Sequence, residues 1–270
     1  NKLGKSDWDS ANTNTLVLEK PTTLTATTVT GSEVELTWKD KSKGEEYFQI
    51  ERNGNIIESI VSSPSNSELY QDVGLNWGTS YTYRVRATDG GGESEWSDSA
   101  SVTPYYDIGD DGPAGGIIFY DDEDDGVDDI SGIRYLEAAP ASEEWAGIPW
   151  GYYSSYTGGN DIPGAHRSSI GTGTLNTEDI ISEQGEGTTY AGQLCYRLDH
   201  GGYDDWFLPS EDELNLMYEN LYKQDYGSFE SSYYWSSTEL NRNDAYAMHF
   251  GSGYKDYDYE KYHSTHVRAV

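Results

Sequence analysis

The chain has 270 residues, with 48 acidic against 17 basic side chains, a net charge of −31 and a mean hydropathy of −0.77. At roughly 100–200 residues per domain this length calls for two domains. Its 24 tyrosines and 8 tryptophans set it apart from disordered acidic chains, which are poor in aromatics. So large a negative charge repels phosphate backbones and anionic lipid, which excludes nucleic acid and membrane-surface attachment and leaves cations and neutral ligands.

The longest apolar stretches, such as 115–119, fall far short of the roughly 20 residues a membrane helix needs, so direct insertion is excluded. No leader is visible, and a start at Asn1 reads as an excised or processed segment, so export stays open. Lone Cys195 rules out a disulfide framework and a cysteine zinc cluster.

Residues 1–20 are polar and aperiodic and read as a linker. From Leu24 to Val102, short alternating runs separated by turn residues predict seven strands of an antiparallel sandwich. Asn53-Gly54 between two such runs is a hairpin signal, because both residues tolerate positive φ.

Residues 105–270 differ in charge, with 8 basic and 32 acidic side chains against 9 and 16 in residues 1–104. The field is concentrated in this second half, at net −24 against −7. Strands are predicted at 116–120 and 133–138, and a short helix capped by Asn176 or Thr177 through Ile181. A second helix is predicted over 190–198. Ser210-Glu211-Asp212-Glu213 is a capping box ahead of a third helix starting at about Glu211. Short strands rich in Tyr and Trp run on to Val270.

Two resemblances organise these elements. Pro21, Trp38 and the run Leu75, Gly78, Tyr81, Tyr83, Arg84, Val85 resemble a fibronectin type III domain over 21–104. That resemblance implies a core role for Trp38 and a corner hydrogen bond for Tyr81, and it is nearly silent on function. The second half carries Gly109-Asp110, Gly112-Pro113-Ala114-Gly115-Gly116-Ile117, Tyr135-Leu136-Glu137-Ala138-Ala139-Pro140 and Ile170-Gly171-Thr172-Gly173. Further on come Asp205-Trp206-Phe207-Leu208-Pro209-Ser210, Tyr234-Trp235-Ser236-Ser237-Thr238-Glu239 and the ending Val267-Arg268-Ala269-Val270. Over 107–270 these strings resemble the C-terminal domain of the Legionella collagen-like adhesin, a family of secreted and surface bacterial proteins. They also look like elements of C-type-lectin-like and formylglycine-generating folds. The expected architecture is therefore multi-domain, an all-β fibronectin type III sandwich followed by an α+β C-type-lectin-like domain whose irregular loops hold the ligand.

Catalysis has little sequence support. The formylglycine-generating relatives rely on paired cysteines, whereas Cys195 stands alone with the apolar spacing of a buried helix face. No metalloprotease helix, nucleophile elbow or phosphate loop is present, so a nonenzymatic protein is expected. A calcium ion is expected instead. Asp121, Glu123, Asp125 and Asp129 fall at positions 1, 3, 5 and 9 of a calcium loop with Gly126 at position 6, although position 12 is Gly132. The competing reading is a solvated hairpin loop. A second candidate is Glu239, Asn241, Asn243 and Asp244, similar in composition to the sugar-binding calcium loop of C-type lectins but lacking its proline.

The ligand surface is expected on Tyr246, His249, Tyr254, Asp256, Tyr257, Tyr259 and Tyr262, since tyrosine gives large amphipathic contact area at low entropy cost. Strand alternation assigns Asp256, Asp258 and Glu260 to one side and Tyr257, Tyr259 and Lys261 to the other. The competing reading is a tyrosine ladder that only covers the core. Three roles follow. The first is a secreted or cell-surface adhesin module that recognises a neutral glycan or a protein on another cell with calcium assistance. The second is a C-type-lectin-like receptor-binding protein diversified by a retroelement, and the third an accessory region of a polysaccharide-acting enzyme. The oligomeric state is left open.

Overall fold

The computed structural model describes residues 18–63, 67–122, 134–151, 153–154, 158–185 and 189–270. The chain divides into two compact units, Asn1–Tyr105 and Tyr106–Val270.

The described residues of the first unit form seven strands: β1 Thr22–Thr30, β2 Glu33–Lys39, β3 Tyr47–Arg52, β4 Asn55–Val61, β5 Ser67–Val73, β6 Tyr81–Thr88 and β7 Ala100–Val102. They pair antiparallel in two sheets, ordered β1-β2-β5 and β4-β3-β6-β7. Inward positions alternate along each strand, so Val34, Leu36 and Trp38 of one sheet meet Phe48, Ile50, Tyr83 and Val85 of the other in one core. The Tyr81 hydroxyl accepts the Asn76 N–H at 3.0 Å, which pins the corner entering β6. Asn53 and Gly54 take positive φ in the hairpin between β3 and β4.

In the second unit β8 Ile117–Asp121 pairs with β9 Tyr135–Ala138. A five-stranded sheet follows, ordered β10-β16-β13-β14-β15. Its strands are β10 Trp145–Pro149, β13 Tyr233–Glu239, β14 Asp244–His249, β15 Tyr254–Glu260 and β16 Ser264–Val267, with β13 and β16 parallel and the other pairs antiparallel. The short strands β11 Tyr153–Ser154 and β12 Gly158–Gly159 form a separate ladder. The helices are α1 Gly173–Gln184, α2 Ala191–Tyr196 and α3 Glu211–Leu216, the last continuing through a π-helical turn at Met217–Leu221.

Alternation along β13 and β14 divides the unit's interior. Trp235, Ala245 and Ala247 face a core completed by Ile180 of α1, Cys195 of α2, Trp150 and Trp206. Tyr234, Tyr246 and Met248 face the opposite core, with Leu214 of α3, Met217, Phe119 and Phe250. Among the described residues no helix is long and apolar enough to cross a membrane.

The Ser210 capping box forms in full: its hydroxyl takes the Glu213 N–H, and the Glu213 carboxylate takes the Ser210 N–H at 2.6 Å. The helix start expected at Asn176 or Thr177 is corrected to Gly173. Both side chains are buried and tie distant segments instead. Asn176 donates to the Arg167 carbonyl at 2.7 Å, and the Thr177 hydroxyl accepts the Leu208 N–H at 3.0 Å.

The recurring strings have architectural causes. The Glu137 carboxylate accepts the N–H groups of Ala114 and Gly116, each at 2.9 Å. A Cβ on Gly116 would lie 2.3 Å from the Ala138 carbonyl oxygen, so that loop requires glycine. In β13 the Ser236 hydroxyl reaches the Tyr246 carbonyl, Ser237 the Pro209 carbonyl and Thr238 the Arg167 carbonyl. Arg268 lies buried over the Phe229 ring and binds Glu144, which also accepts the Tyr234 hydroxyl at 2.9 Å.

Candidate functional site

Two places at the β14–β15 end of the sheet gather the chemistry. The first is an aromatic shelf. Tyr233, His249 and Tyr254 are aligned across three strands by the register Tyr233↔His249 and His249↔Tyr254. A bulge then intervenes: Ala247 pairs with Asp256 and Ala245 with Tyr259, so three steps along β15 match two along β14. The extra residue corrects the expected alternation. Asp256 and Tyr259 share the shelf face, while Tyr257 turns to the opposite face, packs on Tyr246 and donates its hydroxyl to Glu211 at 2.9 Å.

The rings form a continuous series. His249 to Tyr233, Tyr233 to Tyr259, Tyr259 to His263 and His263 to Tyr262 have centroid separations of 4.8, 4.5, 4.8 and 4.5 Å. Tyr254 and Tyr262 are exposed, and His249, Tyr259 and His263 half-buried. Burial, helped by neighbouring Asp256, pushes the Tyr233 and Tyr259 hydroxyls upward, so both stay protonated donors at neutral pH. Glu260 lies at the end of the series, accepting the Tyr262 hydroxyl at 2.5 Å and standing 3.5 Å from His263. The surface presents aromatic rings, hydroxyls and carboxylates together.

Of the residues expected to bind ligand, His249, Tyr254, Asp256, Tyr259 and Tyr262 meet on this shelf. Tyr246 is corrected to a core residue, because its side chain is fully buried under α3. Tyr257 is exposed, but away from the shelf. Tyr233 was absent from the expected set. Its two-residue spacing from Trp235, which places both on one face, was the available signal.

The second place surrounds Glu239, which is buried at 1% exposure. One carboxylate oxygen binds the Lys261 ammonium, and the other accepts the Ile162 N–H at 2.8 Å. Lys261 is itself fully buried, reaches the carbonyls of Asn160 at 3.1 Å and Arg242 at 3.2 Å, and sits 4.5 Å above the Trp150 ring. Burial drives the Glu239 carboxyl up and the Lys261 ammonium down, and their pairing opposes both shifts.

The calcium set Glu239, Asn241, Asn243 and Asp244 is therefore corrected. Glu239 faces an ammonium, while the Asn241 side chain donates to Asp244 at 2.9 Å and accepts the N–H groups of Asn243 and Asp244, closing the loop on itself. Among the described residues, Asp161, His166 and Glu239 form the one metal-ligand group. His166 donates through Nδ1 to the Glu239 carbonyl at 2.9 Å, leaving Nε2 3.6 Å from the engaged Glu239 carboxylate. In the other expected calcium set, Asp121 pairs with Arg134, its Oδ2 lying 3.1 Å from the guanidinium. Glu123, Asp125 and Asp129 lie outside the described residues.

Comparison with known proteins follows the two units. Among solved structures, an Fn3-like protein from Clostridium thermocellum is 26% identical, over 32% of this chain and 93% of that one, with a TM-score of 0.28. A structure titled FN3tt mut is 21% identical over 32% and 93%, with a TM-score of 0.25. A β-1,2-glucanase from Parabacteroides distasonis is 24% identical over 33% and 13%, with a TM-score of 0.27. No curated protein matches the chain. Residues 19–103 match the fibronectin type III profile, and residues 142–270 match the Lcl C-terminal domain profile. The chain thus joins a fibronectin type III domain to an Lcl C-terminal domain.

Proposed function

We propose that the chain is a nonenzymatic, adhesin-like module of a secreted or cell-surface bacterial protein. In this reading the fibronectin type III domain is a spacer, and the second unit, with a C-type-lectin-like α+β fold, recognises a neutral glycan or a protein partner through the shelf. The observation that carries it is the ring series from His249 to Tyr262, with donor hydroxyls and carboxylates at its margins. An aromatic cluster bordered by hydrogen-bonding groups suits a polyhydroxylated or peptide surface, and tyrosine provides that contact with few rotors to freeze. The net charge of −24 in residues 105–270 opposes sulfated or phosphorylated ligands. Calcium belongs in this reading as a support of the 121–129 loop and takes no part in the shelf.

A second reading is favoured by one observation. Tyr254, Asp256, Tyr259, Tyr262 and His263 gather on one surface, and they are the residue types that adenine-directed diversification enriches. A near-identical template repeat beside a reverse transcriptase gene decides for it, and a neighbourhood without one removes it.

A neutral glycan and peptide array, run with calcium and with chelator, tests the main reading. Binding that weakens at least about tenfold in Tyr254→Ala and Tyr262→Ala, with melting unchanged, is the expected outcome. Product release from a polysaccharide panel sinks the nonenzymatic assignment.

A further inference from the structure

Lys261 lies where an exposed, acidic strand end would be expected to keep its lysine in water. Its side chain has no exposure at all. The ammonium is enclosed by three oxygens from three segments: a Glu239 carboxylate oxygen at the end of β13, the Asn160 carbonyl after β12 and the Arg242 carbonyl before β14. Trp150 closes the remaining side with its ring face. Asp161 and Asp244 add negative potential. One carboxylate and two carbonyls from separate loops are the donor set by which a protein holds a hard cation.

The surrounding backbone is fitted to this arrangement. A Cβ on Gly159 would stand 2.0 Å from the Arg242 carbonyl oxygen, so the two loops approach this closely only with glycine there. The Lys261 backbone joins the same knot, its N–H donating to the Asn243 carbonyl at 2.9 Å and its carbonyl accepting from Trp150 at 3.1 Å. Without the ammonium, the buried Glu239 carboxylate would keep the Ile162 N–H and, 3.6 Å away, His166 Nε2, while the Asn160 and Arg242 carbonyls would lose their shared donor, an arrangement that drives loops apart.

We propose that Lys261 is a tethered cation filling an oxygen-lined cation site, so that this end of the second unit is ordered without a metal and gains cation dependence once the ammonium is removed. The inference stands independently of which ligand the shelf binds. It reverses the calcium expectation for the 239–244 loop: the site exists, and the chain supplies its own occupant.

The test is chemical rescue in the full chain. Lys261→Ala shortens the side chain and vacates the site, Lys261→Met removes the charge but fills the space, and thermal unfolding is followed at constant ionic strength in chelator, in calcium and in ethylammonium. Any calcium response of the wild type, including one from the 121–129 loop, is subtracted. The expected result is a melting temperature lower by roughly 10 °C in Lys261→Ala, as for a buried pair stripped of one partner. Calcium or ethylammonium then recovers a substantial part of it in Lys261→Ala and none in Lys261→Met. If Lys261→Ala does not fold in chelator, its folding on addition of either cation carries the same meaning. No rescue by either cation in Lys261→Ala, or equal rescue in Lys261→Met, overturns the proposal. A Lys261→Ala protein as stable as the wild type in chelator overturns it as well.

Discussion

Tyr233 and Tyr259 stack with centroids 4.5 Å apart and planes 27° apart, although β14 runs between their strands. Strands two positions apart are separated by roughly 9.5 Å, so rings meet across the middle one only where its side chains are small. Ala245 and Ala247 are those side chains: Ala245 is opposite Tyr259, and Ala247 opposite Trp235. The shelf is thus a consequence of two alanines on the intervening strand β14.

Replacing Ala247 with Leu tests that dependence. The larger side chain has no room between Trp235 and the tyrosine stack, and overpacking of this kind costs about 1–3 kcal/mol. Chemical denaturation should show that loss. Binding at the shelf should weaken by more than the lost stability explains, since the platform itself is disturbed.

Tyr246 offers a sharp contrast with the shelf residues. Its hydroxyl is buried with no hydrogen-bond partner, and burial pushes its ionisation well upward. Tyr246→Phe removes an unsatisfied polar group, so stability should stay level or rise by up to about 1–3 kcal/mol while ligand binding stays unchanged. A variant that folds normally and loses binding would return Tyr246 to the ligand surface.

Glu213 makes the second unit sensitive to pH. Burial is the largest influence on its carboxyl and raises it to about 7, against the lowering effect of N–H donors from Ser210, Gly171 and Gly173. With the folded value above the unfolded one, its contribution to stability is fully present below pH 4.5 and is lost as pH rises through about 7. A shift of that size corresponds to up to about 3 kcal/mol. Unfolding free energies from pH 4 to 8 should therefore decline more steeply in the wild type than in Glu213→Gln. Parallel curves would show that the Glu213 carboxyl takes up its proton at the same pH in the folded and unfolded states.

Arg268 shows why the Val-Arg-Ala-Val ending is structural. It is 1% exposed and binds Glu144 through Nε at 3.0 Å and Nη2 at 2.6 Å, while Nη1 reaches the Ala139 carbonyl at 2.9 Å. Arg268→Ala strands a carboxylate that otherwise has only His266 and Tyr234, and should destabilise the second unit by about 3–5 kcal/mol. An unchanged calorimetric transition would refute the assignment.

The first unit was legible because period-two alternation and turn chemistry are local properties: Asn53-Gly54 and the run from Tyr81 to Val85 need no distant partner to be understood. The Ser210 capping box was legible for the same reason. Asn176 and Thr177 misled because cap residues and buried polar residues are the same amino acids, and only the remote Arg167 and Leu208 distinguish them. The ligand face was half legible. The tyrosine-rich strand was visible, but one bulge residue exchanged the sides of Tyr257 and Asp256, and a bulge leaves no periodic trace. Lys261 was hidden most completely. A lysine among acidic residues reads as solvated, and its burial depends on Glu239, Asn160 and Arg242, up to 101 residues away in the chain.

The central claim, that the shelf from His249 to Tyr262 recognises a neutral ligand, is tested most directly by titrating one array-identified ligand into the wild type, Tyr254→Ala, Tyr262→Ala and Tyr257→Phe at two salt concentrations. The expected result is an affinity insensitive to salt, weakened at least about tenfold by each shelf truncation and unchanged by Tyr257→Phe. Salt-sensitive binding of a sulfated polysaccharide, or full affinity in both shelf truncations, would contradict the account.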